Sequence, residues 1–372
     1  MKSAARHVRR SNSEPDVASL DSAIPPGLDA ERAARPEAAG FLRKHGLKIV
    51  LTALMLGLLF ANVDMAAMGA HFAALSVGTV SLGIAIAMLQ IGFLAFRWVL
   101  VARMQAIELP FMEALRCMLA SQFFSQGLPA SLGGDALRLW WLTRLGMPIG
   151  PASQSVLLDR LAGLLALLIL NLASVALLAM ALSRSLDATG IGLVIAAGLL
   201  VMIVGASSLG RALFLWAYQR LPRRIRARKA VRATALWALM LHRGISQLVL
   251  SRGGGVVLLW GLAIHLFTVL ICYLIAADGG MGIGFVKLLA VIPPVLLVSY
   301  LPVSIGGWGV REGSMAFALT LVGGSVEGGV FIGLALGAFA LTAALLGAVV
   351  WLVSPMPINV LGQRRAPPLD RA

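Results

Sequence analysis

LPASLGGDALR, residues 128–138, recurs in outline as LPVSIGGWGVR, residues 301–311, with the Leu, Pro, Ser, both Gly and Arg positions identical. Both stretches, called here the first and second motif, interrupt strongly apolar sequence with proline and a Gly-Gly pair, which favour breaks in a helix. Paired interruptions in the two halves of a membrane protein are the best sequence-level pointer to a transporter's binding site. The repeat therefore predicts a duplicated membrane carrier.

The composition places the chain in a lipid bilayer. Hydrophobic residues make up 59% and charged residues 13% of the sequence, and the mean hydropathy is +0.90, which leaves too few charges to cover a soluble globule. The apolar residues fall in runs of roughly 20, the length that a helix needs to cross about 30 Å of hydrocarbon. No stretch has the alternation typical of a membrane β-barrel. The predicted fold is all-α, a polytopic helical membrane protein.

Six full membrane spans are predicted from the apolar runs. They lie near 47–63, 76–96, 153–182, 190–216, 254–276 and 329–353. The spans belong to a transmembrane domain at 47–354, with a polar, disordered cytoplasmic tail at 1–46 and a second cytoplasmic tail at 355–372. An apolar core begins only at Leu47, so no secretory signal is expected. The predicted location is the cytoplasmic (inner) membrane.

The net charge of +15 does not point to nucleic acid, because the basic residues are concentrated between apolar spans. From 211 to 252 the chain has no Asp or Glu, and its basic residues are Arg211, Arg220, Arg223, Arg224, Arg226, Arg228, Lys229, Arg232, Arg243 and Arg252. The positive-inside rule predicts a basic cytoplasmic loop at about 217–252 that can lie on anionic headgroups.

Charge also orients the spans. The tail before the first span carries Arg43, Lys44 and Lys48, whereas residues 62–72 contain no Lys or Arg, so the N-terminus is expected in the cytoplasm. The basic C-terminal tail is expected on the same side.

This orientation balances only if each motif enters and leaves the membrane on one side, as a re-entrant or broken helix hairpin. The two hairpins would dip in from opposite sides, which predicts inverted repeats at about 76–182 and 254–353. The alternative makes the hairpins full spans, with eight or more crossings and a cytoplasmic C-terminus. Hydropathy does not choose between them.

Each motif is expected to break the helix at membrane depth. Pro129 and Pro302 should end the incoming helices, because proline lacks an N–H group and clashes with the preceding turn. The Gly-Gly pairs should turn the chain, so that second helices begin near Asp135 and near Trp308. Non-helical backbone at this depth is tolerated only in protein or beside water, so the motifs predict a polar cavity.

Arg138 and Arg311 follow the Gly-Gly pair at the same distance in each motif. A charge near the hydrocarbon centre costs at least about 2.5–3.5 kcal/mol on insertion scales and marks a functional site by default. Guanidinium matches phosphate with two hydrogen bonds, and helix N-termini and serine hydroxyls favour the same anion. The predicted headgroup site comprises Ser131, Gly133, Gly134, Asp135, Arg138, Ser304, Gly306, Gly307, Arg311 and Glu312.

A structural role for both arginines is the alternative. Arg138 would then pair with Asp135, and Arg311 would pair with Glu312 or Glu327. The repetition of the whole motif favours the binding role.

Other residues are expected to be structural. Asp159 and Arg160 open the third predicted span and should anchor it at the interface, or hold a hairpin by an ion pair. His265 should hydrogen-bond between helices, since no second metal ligand accompanies it. Pro293 and Pro294 should kink or split the helix that leads into the second motif.

The sequence predicts no metal site, no cofactor and no catalytic group. Cys117 and Cys272 lie in opposite halves without metal-ligand spacing and are expected to be small buried thiols. No nucleophile with a base appears at workable spacing, although Asp135, Asp159 and Glu312 could assemble in space.

At these motifs the sequence resembles the lysylphosphatidylglycerol synthase transmembrane-domain family, flippase-like proteins that include the lipid-translocating half of the multiple-peptide-resistance factor. The matching elements are residues 128–138, DRLAG at 159–163 and PVSIGGWGVREG at 302–313, within a resemblance over roughly 45–355. It implies an integral protein of the cytoplasmic membrane that moves or handles a lipid, with relatives linked to lysyl-phosphatidylglycerol, polyprenyl-linked sugars and hopanoids. In two-part relatives a separate soluble domain performs aminoacyl transfer. This chain stops at Ala372, so we expect it not to perform that reaction alone.

Three functions are compatible with these observations. The leading one is a lipid translocase for a phosphate-bearing lipid. The second is a membrane subunit or transferase in lipid modification, in phosphatidylglycerol aminoacylation or a hopanoid or polyprenyl-lipid pathway. The third is a scaffold whose basic segment binds anionic lipid or a partner. The expected partners are membrane lipids with anionic or phosphate headgroups and not nucleic acid, while a lipid-modifying enzyme partner and a homo-oligomer are left open.

Overall fold

The computed structural model describes most of the chain between residues 50 and 353, and its regular elements there are all helices. The described residues are 50, 52–61, 63–127, 132–182, 196–198, 200, 203–226, 228–300, 304 and 306–353. The predicted tails at 1–46 and 355–372 lie outside them, as do Pro129, Ser131 and Pro302.

The helices are numbered in chain order. They are α1 Thr52–Ala61, α2 Met65–Ala74, α3 Val77–Met104, α4 Phe111–Gly127, α5 Leu132–Arg144, α6 Ile149–Leu182, α7 Ala196–Ala206, α8 Ser208–Arg220, α9 Arg223–Arg226, α10 Lys229–Leu250, α11 Arg252–Asp278, α12 Phe285–Ser299, α13 Val310–Thr320 and α14 Val326–Val353.

Four single helices and two bent pairs account for the predicted spans. Within the described ranges, α3, α6, α11 and α14 are long and apolar enough to cross a membrane, and up to six spans result if each bent pair is one. The predictions at 47–63 and 190–216 fall on the bent pairs, α1 with α2 at 95° and α7 with α8 at 67°. Asp64 starts α2 as a new helix, because its carboxylate accepts from the N–H groups of Ala66 and Ala67.

The order long, short, short, long occurs twice along the chain. In the first half, α3, α4, α5 and α6 have 28, 17, 13 and 34 residues. In the second half, α11, α12, α13 and α14 have 27, 15, 11 and 28 residues. At about 1.5 Å per residue the short helices fall below the roughly 30 Å of a hydrocarbon core. Each motif lies at the break between two short helices.

The two halves interlock through equivalent contacts. The first short helix of each half packs against the last long helix of the other, α4 on α14 and α12 on α6. The first long helices, α3 and α11, pack against each other. The Gln90 amide of α3 joins this pair by donating to the Ile264 carbonyl and the Thr268 hydroxyl of α11, at 2.7 and 2.8 Å.

The two consecutive prolines do not split α12, which continues through Pro293 and Pro294. Proline cannot donate the helical hydrogen bond, so Pro293 leaves the carbonyl of Leu289 without its usual donor. The Ser174 hydroxyl of α6 donates to that carbonyl at 2.8 Å, and the Asn171 amide donates to the Pro293 carbonyl at 3.2 Å. Of the two expected outcomes, a kink or a split, the split is wrong, because α6 satisfies the freed carbonyl; the kink stays a prediction.

The basic segment that was expected as a loop contains the 22-residue helix α10. Its apolar side, with the buried Leu248, packs against Leu158 of α6 and Val257 of α11. Arg243 of the same helix is exposed. The segment is therefore largely an amphipathic helix, which a search for purely apolar runs does not detect.

The close packing of α4 on α14 depends on Gly347. A Cβ at this position would overlap the carbonyl oxygen of Leu119 on α4 and lie 2.8 Å from its carbonyl carbon. Since these are backbone atoms, we expect Gly347→Ala to lower the free energy of unfolding by about 1–3 kcal/mol, measured by thermal unfolding in detergent. Gly92→Ala in α3 is the matched control, because nothing lies within 4 Å of its added Cβ. Equal stability of the two variants would contradict this packing.

Candidate functional site

A buried charged cluster lies where α3, α5 and α6 meet. Asp159 of α6 accepts from the Nε of Arg97 on α3 at 2.9 Å and from the Nη2 of Arg138 on α5 at 2.8 Å. Arg97, Arg138 and Asp159 are 5%, 6% and 1% exposed. Because buried charges require pairing, Asp159 is the group that makes both guanidiniums tolerable.

Two further charges extend this cluster toward the surface. Asp135 of α5 pairs with Arg160 of α6, and its other oxygen lies 3.6 Å from Arg138 Nη1. We call Arg97, Asp135, Arg138, Asp159 and Arg160 the first cluster. Its ion pairs connect the short helix α5 to α6. Asp159 lies in the third turn of α6, which begins at Ile149, so it does not open this helix, and its role as an interface anchor stays a prediction.

Trp98 holds the Arg138 side chain in place. The guanidinium carbon lies 4.3 Å from the centroid of the Trp98 ring, a cation–π arrangement. The indole N–H of Trp98 donates to the Ser155 hydroxyl at 3.1 Å. The buried Nε of Arg138 has no hydrogen-bond partner in the described part of the chain. Arg138 therefore retains one unused donor.

A second cluster follows the second motif. Arg311 is 8% exposed and Glu312 is fully buried. Glu312 Oε1 accepts from Arg311 Nη2 and Nε at 2.5 and 3.0 Å, and its Oε2 accepts from the Gly309 N–H at 2.6 Å. Arg311 lies 4.8 Å from the ring centroid of Trp308. The partner of Arg311 is Glu312 and not Glu327.

Glycines of α14 leave room for the second cluster. A Cβ at Gly337 would overlap Arg311 Nη2 and lie 2.9 Å from the Trp308 ring, and a Cβ at Gly333 would lie 3.0 Å from the Glu312 Cα. Each motif arginine therefore stacks on a tryptophan and binds a carboxylate. The carboxylate comes from α6 in the first cluster and from the adjacent residue in the second.

The two Gly-Gly pairs serve different purposes. Gly306 and Gly307 have φ values of 59° and 79°, which suit glycine in a turn, and α13 begins after them. Gly133 and Gly134 instead lie in the first turn of α5, which begins before Asp135. A Cβ at Gly134 would lie 2.9 Å from the Ser121 carbonyl of α4. The expected backbone turn at the first pair was wrong, because that pair allows close helix packing.

A cavity of about 260 Å³ lies between helices of both halves. Its walls come from α3, α4, α11, α12 with its C-cap residue, and α14. Its polar lining residues are Gln90, Gln122, His265, Thr268 and Tyr300, and the other lining residues are apolar. We call this cavity the polar chamber. The His265 Nε2–H donates to the Gly163 carbonyl of α6 at 3.1 Å, which confirms the expected interhelical hydrogen bond.

The predicted site residues divide between the two clusters. The structure brings Asp135 and Arg138 together in the first cluster and Arg311 and Glu312 together in the second. Ser304 is 3% exposed, and its hydroxyl has no partner among the described residues. Both cysteines are free and buried, as expected. Across the described ranges, no three His, Cys, Asp or Glu side chains come together as metal ligands would.

Sequence reasoning predicted a polar cavity from the motifs but did not assign Arg97, Trp98 or the lining residues of the polar chamber to the site. Arg97 follows the predicted end of a span at residue 96, but α3 continues to Met104. The signal that could have identified Arg97 was that the helical pattern continues past this arginine. The chamber residues lie on separate helices, and no local pattern connects them.

One protein-family model matches most of the chain. The family model for the lysylphosphatidylglycerol synthase TM region matches residues 46–349. The chain belongs to this family. The match includes both motifs and both clusters, and it confirms the resemblance of the sequence. None of the curated proteins compared with the chain matches it. The family and the apolar helices make the chain a multi-pass membrane protein tied to lipid modification or transport.

Proposed function

We propose that the chain is a lipid translocase that moves a phosphate-bearing lipid across the cytoplasmic membrane, with both termini in the cytoplasm. The observation that carries the proposal is the pair of buried, tryptophan-stacked arginines, Arg138 and Arg311, at two helix breaks of an apolar protein. Intramembrane charges are costly and commonly mark a substrate path.

Inverted repeats supply the geometry for alternating access. The order long, short, short, long, which occurs twice along the chain, supports inverted repeats. The helix packing also supports them, because the first short helix of each half packs on the last long helix of the other half. Lengths below a full crossing support hairpins that enter and leave on one side. A headgroup could then pass between the hairpins while its acyl chains stay in the bilayer.

The first cluster suits a single phosphate. At its buried end, the two guanidiniums of Arg97 and Arg138 share the single carboxylate of Asp159, which favours binding of an anion there. The unused Nε of Arg138 can donate to a phosphate oxygen while Nη2 keeps its hydrogen bond to the Asp159 carboxylate. The stacked Trp98 fixes the plane of the guanidinium. Arg311 would receive the phosphate at the second hairpin by opening its pair with Glu312.

The test is headgroup accessibility of a labelled phospholipid in proteoliposomes. We expect Arg138→Gln/Arg311→Gln to lower the initial translocation rate at least tenfold, because charge-assisted hydrogen bonds to phosphate are lost. Arg220→Gln is the matched control, since Arg220 also stacks on a tryptophan, Trp216 at 4.5 Å, but lies outside both hairpins. A wild-type translocation rate in the folded, monodisperse double variant would exclude this mechanism.

A membrane subunit or transferase in lipid modification is the second candidate. The family description, which names a synthase, favours it. Asp135, Asp159 and Glu312 each bind a guanidinium, so a catalytic role would require one of them to leave its arginine. Product formation by purified protein from phosphatidylglycerol and an aminoacyl donor would support this candidate over translocation.

A further inference from the structure

We propose that the polar chamber is a headgroup subsite for a neutral, hydroxyl-bearing group attached to the phosphate, such as glycerol or a single sugar. This inference rests on the proposed translocation and names the class of lipid. It depends on the size, hydrogen-bonding capacity, position and charge of the chamber.

The chamber is large enough for a small headgroup. Its volume is about 260 Å³, and one water molecule takes up about 30 Å³ of the liquid. A glycerol or one sugar ring fits this space. Since both halves contribute walls, the occupant would lie between the two repeats.

Several polar groups of the chamber have unused hydrogen-bonding capacity. Gln122 and the Tyr300 hydroxyl make no side-chain hydrogen bond to any described residue. Gln90 uses its NH₂ group on α11, so its carbonyl oxygen remains available. The His265 Nε2–H is bound to a carbonyl, which leaves Nδ1 as an acceptor in the neutral ring. Each of these groups can donate to or accept from a polar occupant of the chamber.

The chamber adjoins the first cluster. His265 on its wall binds the carbonyl of Gly163, and a Cβ on Gly163 would lie 3.1 Å from the Arg97 guanidinium. A phosphate at the first cluster would therefore carry its headgroup toward the chamber.

The charge of the chamber selects among headgroups. The described residues that line it contribute amide, hydroxyl and imidazole groups and no carboxylate, and the nearby Asp159 already binds two guanidiniums. A cationic, lysylated headgroup would lose its hydration here without gaining a counter-charge. Hydroxyl groups both donate and accept, and they match the unused amide, phenol and imidazole atoms.

Three acyl-labelled lipids in proteoliposomes test the inference. Phosphatidylglycerol carries the hydroxyls, phosphatidylpropanol has the same phosphate charge without them, and lysyl-phosphatidylglycerol is cationic. We expect phosphatidylglycerol to move about five- to tenfold faster than each of the others, as the loss of one or two hydrogen bonds implies.

Variants of Gln122 connect this selectivity to the chamber. We expect Gln122→Leu to slow phosphatidylglycerol to the rate of phosphatidylpropanol, and Gln122→Glu to raise the rate of lysyl-phosphatidylglycerol relative to phosphatidylglycerol. Both variants should remain folded, because Gln122 is only partly buried and has no partner among the described residues.

The outcomes separate the inference from the proposed function. Equal wild-type rates for the three lipids, or faster movement of the lysylated lipid, would overturn the subsite while leaving translocation in place. Selectivity that Gln122→Leu and Gln122→Glu leave unchanged would also overturn it. Translocation of none of the lipids by folded protein would overturn both.

Discussion

Asp159→Asn is expected to lower the free energy of unfolding by about 3–5 kcal/mol, because removing one partner of a buried ion pair leaves uncompensated charge. Asp159 accepts from Arg97 and Arg138, which are 5% and 6% exposed. The neutral amide would leave two positive charges inside the protein without their carboxylate. The melting temperature and the monodisperse fraction in detergent measure the loss.

Two further variants isolate the cause. Asp135→Asn is the control, because Asp135 and its partner Arg160 are partly exposed, and its cost should be about 1 kcal/mol or less. Arg97→Met/Arg138→Met/Asp159→Asn removes the buried charges together and should recover most of the stability of Asp159→Asn. It should still fail to translocate lipid. If the Asp159→Asn variant had the same melting temperature as the wild type, the first cluster would not be a buried ion-pair network.

Glu312→Gln should lower the free energy of unfolding by a similar amount, about 3–5 kcal/mol, because it leaves Arg311 without its counter-charge. Glu312 is fully buried, accepts twice from Arg311 and caps the Gly309 N–H through its other oxygen. Gly309 has a φ of 83°, so this carboxylate also secures the turn that starts α13. We expect a lower melting temperature and faster proteolysis near the second motif.

Glu327→Gln is the matched control for this substitution. Glu327 lies in the first turn of α14, in the same half of the chain, and has no ion pair to a described residue. Its replacement should change stability by less than about 0.5 kcal/mol. Equal losses for the two glutamates would show that pairing with Arg311 is not what makes Glu312 important.

The duplicated motif predicted much of this architecture from the sequence. Proline and glycine break helices for local reasons, so residues 128–138 and 301–311 marked the ends of α4 and α12 and the starts of the helices that follow. The four longest apolar runs became α3, α6, α11 and α14. Local chemistry and hydropathy were sufficient for these elements.

The ion-pair partners could not be predicted in this way. Arg97 and Asp159 are 62 positions apart and meet only because α3 and α6 pack together. The two identical Gly-Gly pairs also have different backbone conformations, because the first pair lies in a helix and the second in a turn. Tertiary packing determines which property of glycine is used, so a local pattern cannot distinguish the two.

The interlocked packing has a consequence for synthesis in the cell. Helices α4 and α5 are synthesised early, but α4 finds its packing partner only when α14, near the end of the described chain, emerges from the ribosome. Until then the face of α4 that packs on α14 has no packing partner. The nascent chain must therefore be shielded by the insertion machinery or by lipid, because assembly is completed only after translation has nearly ended.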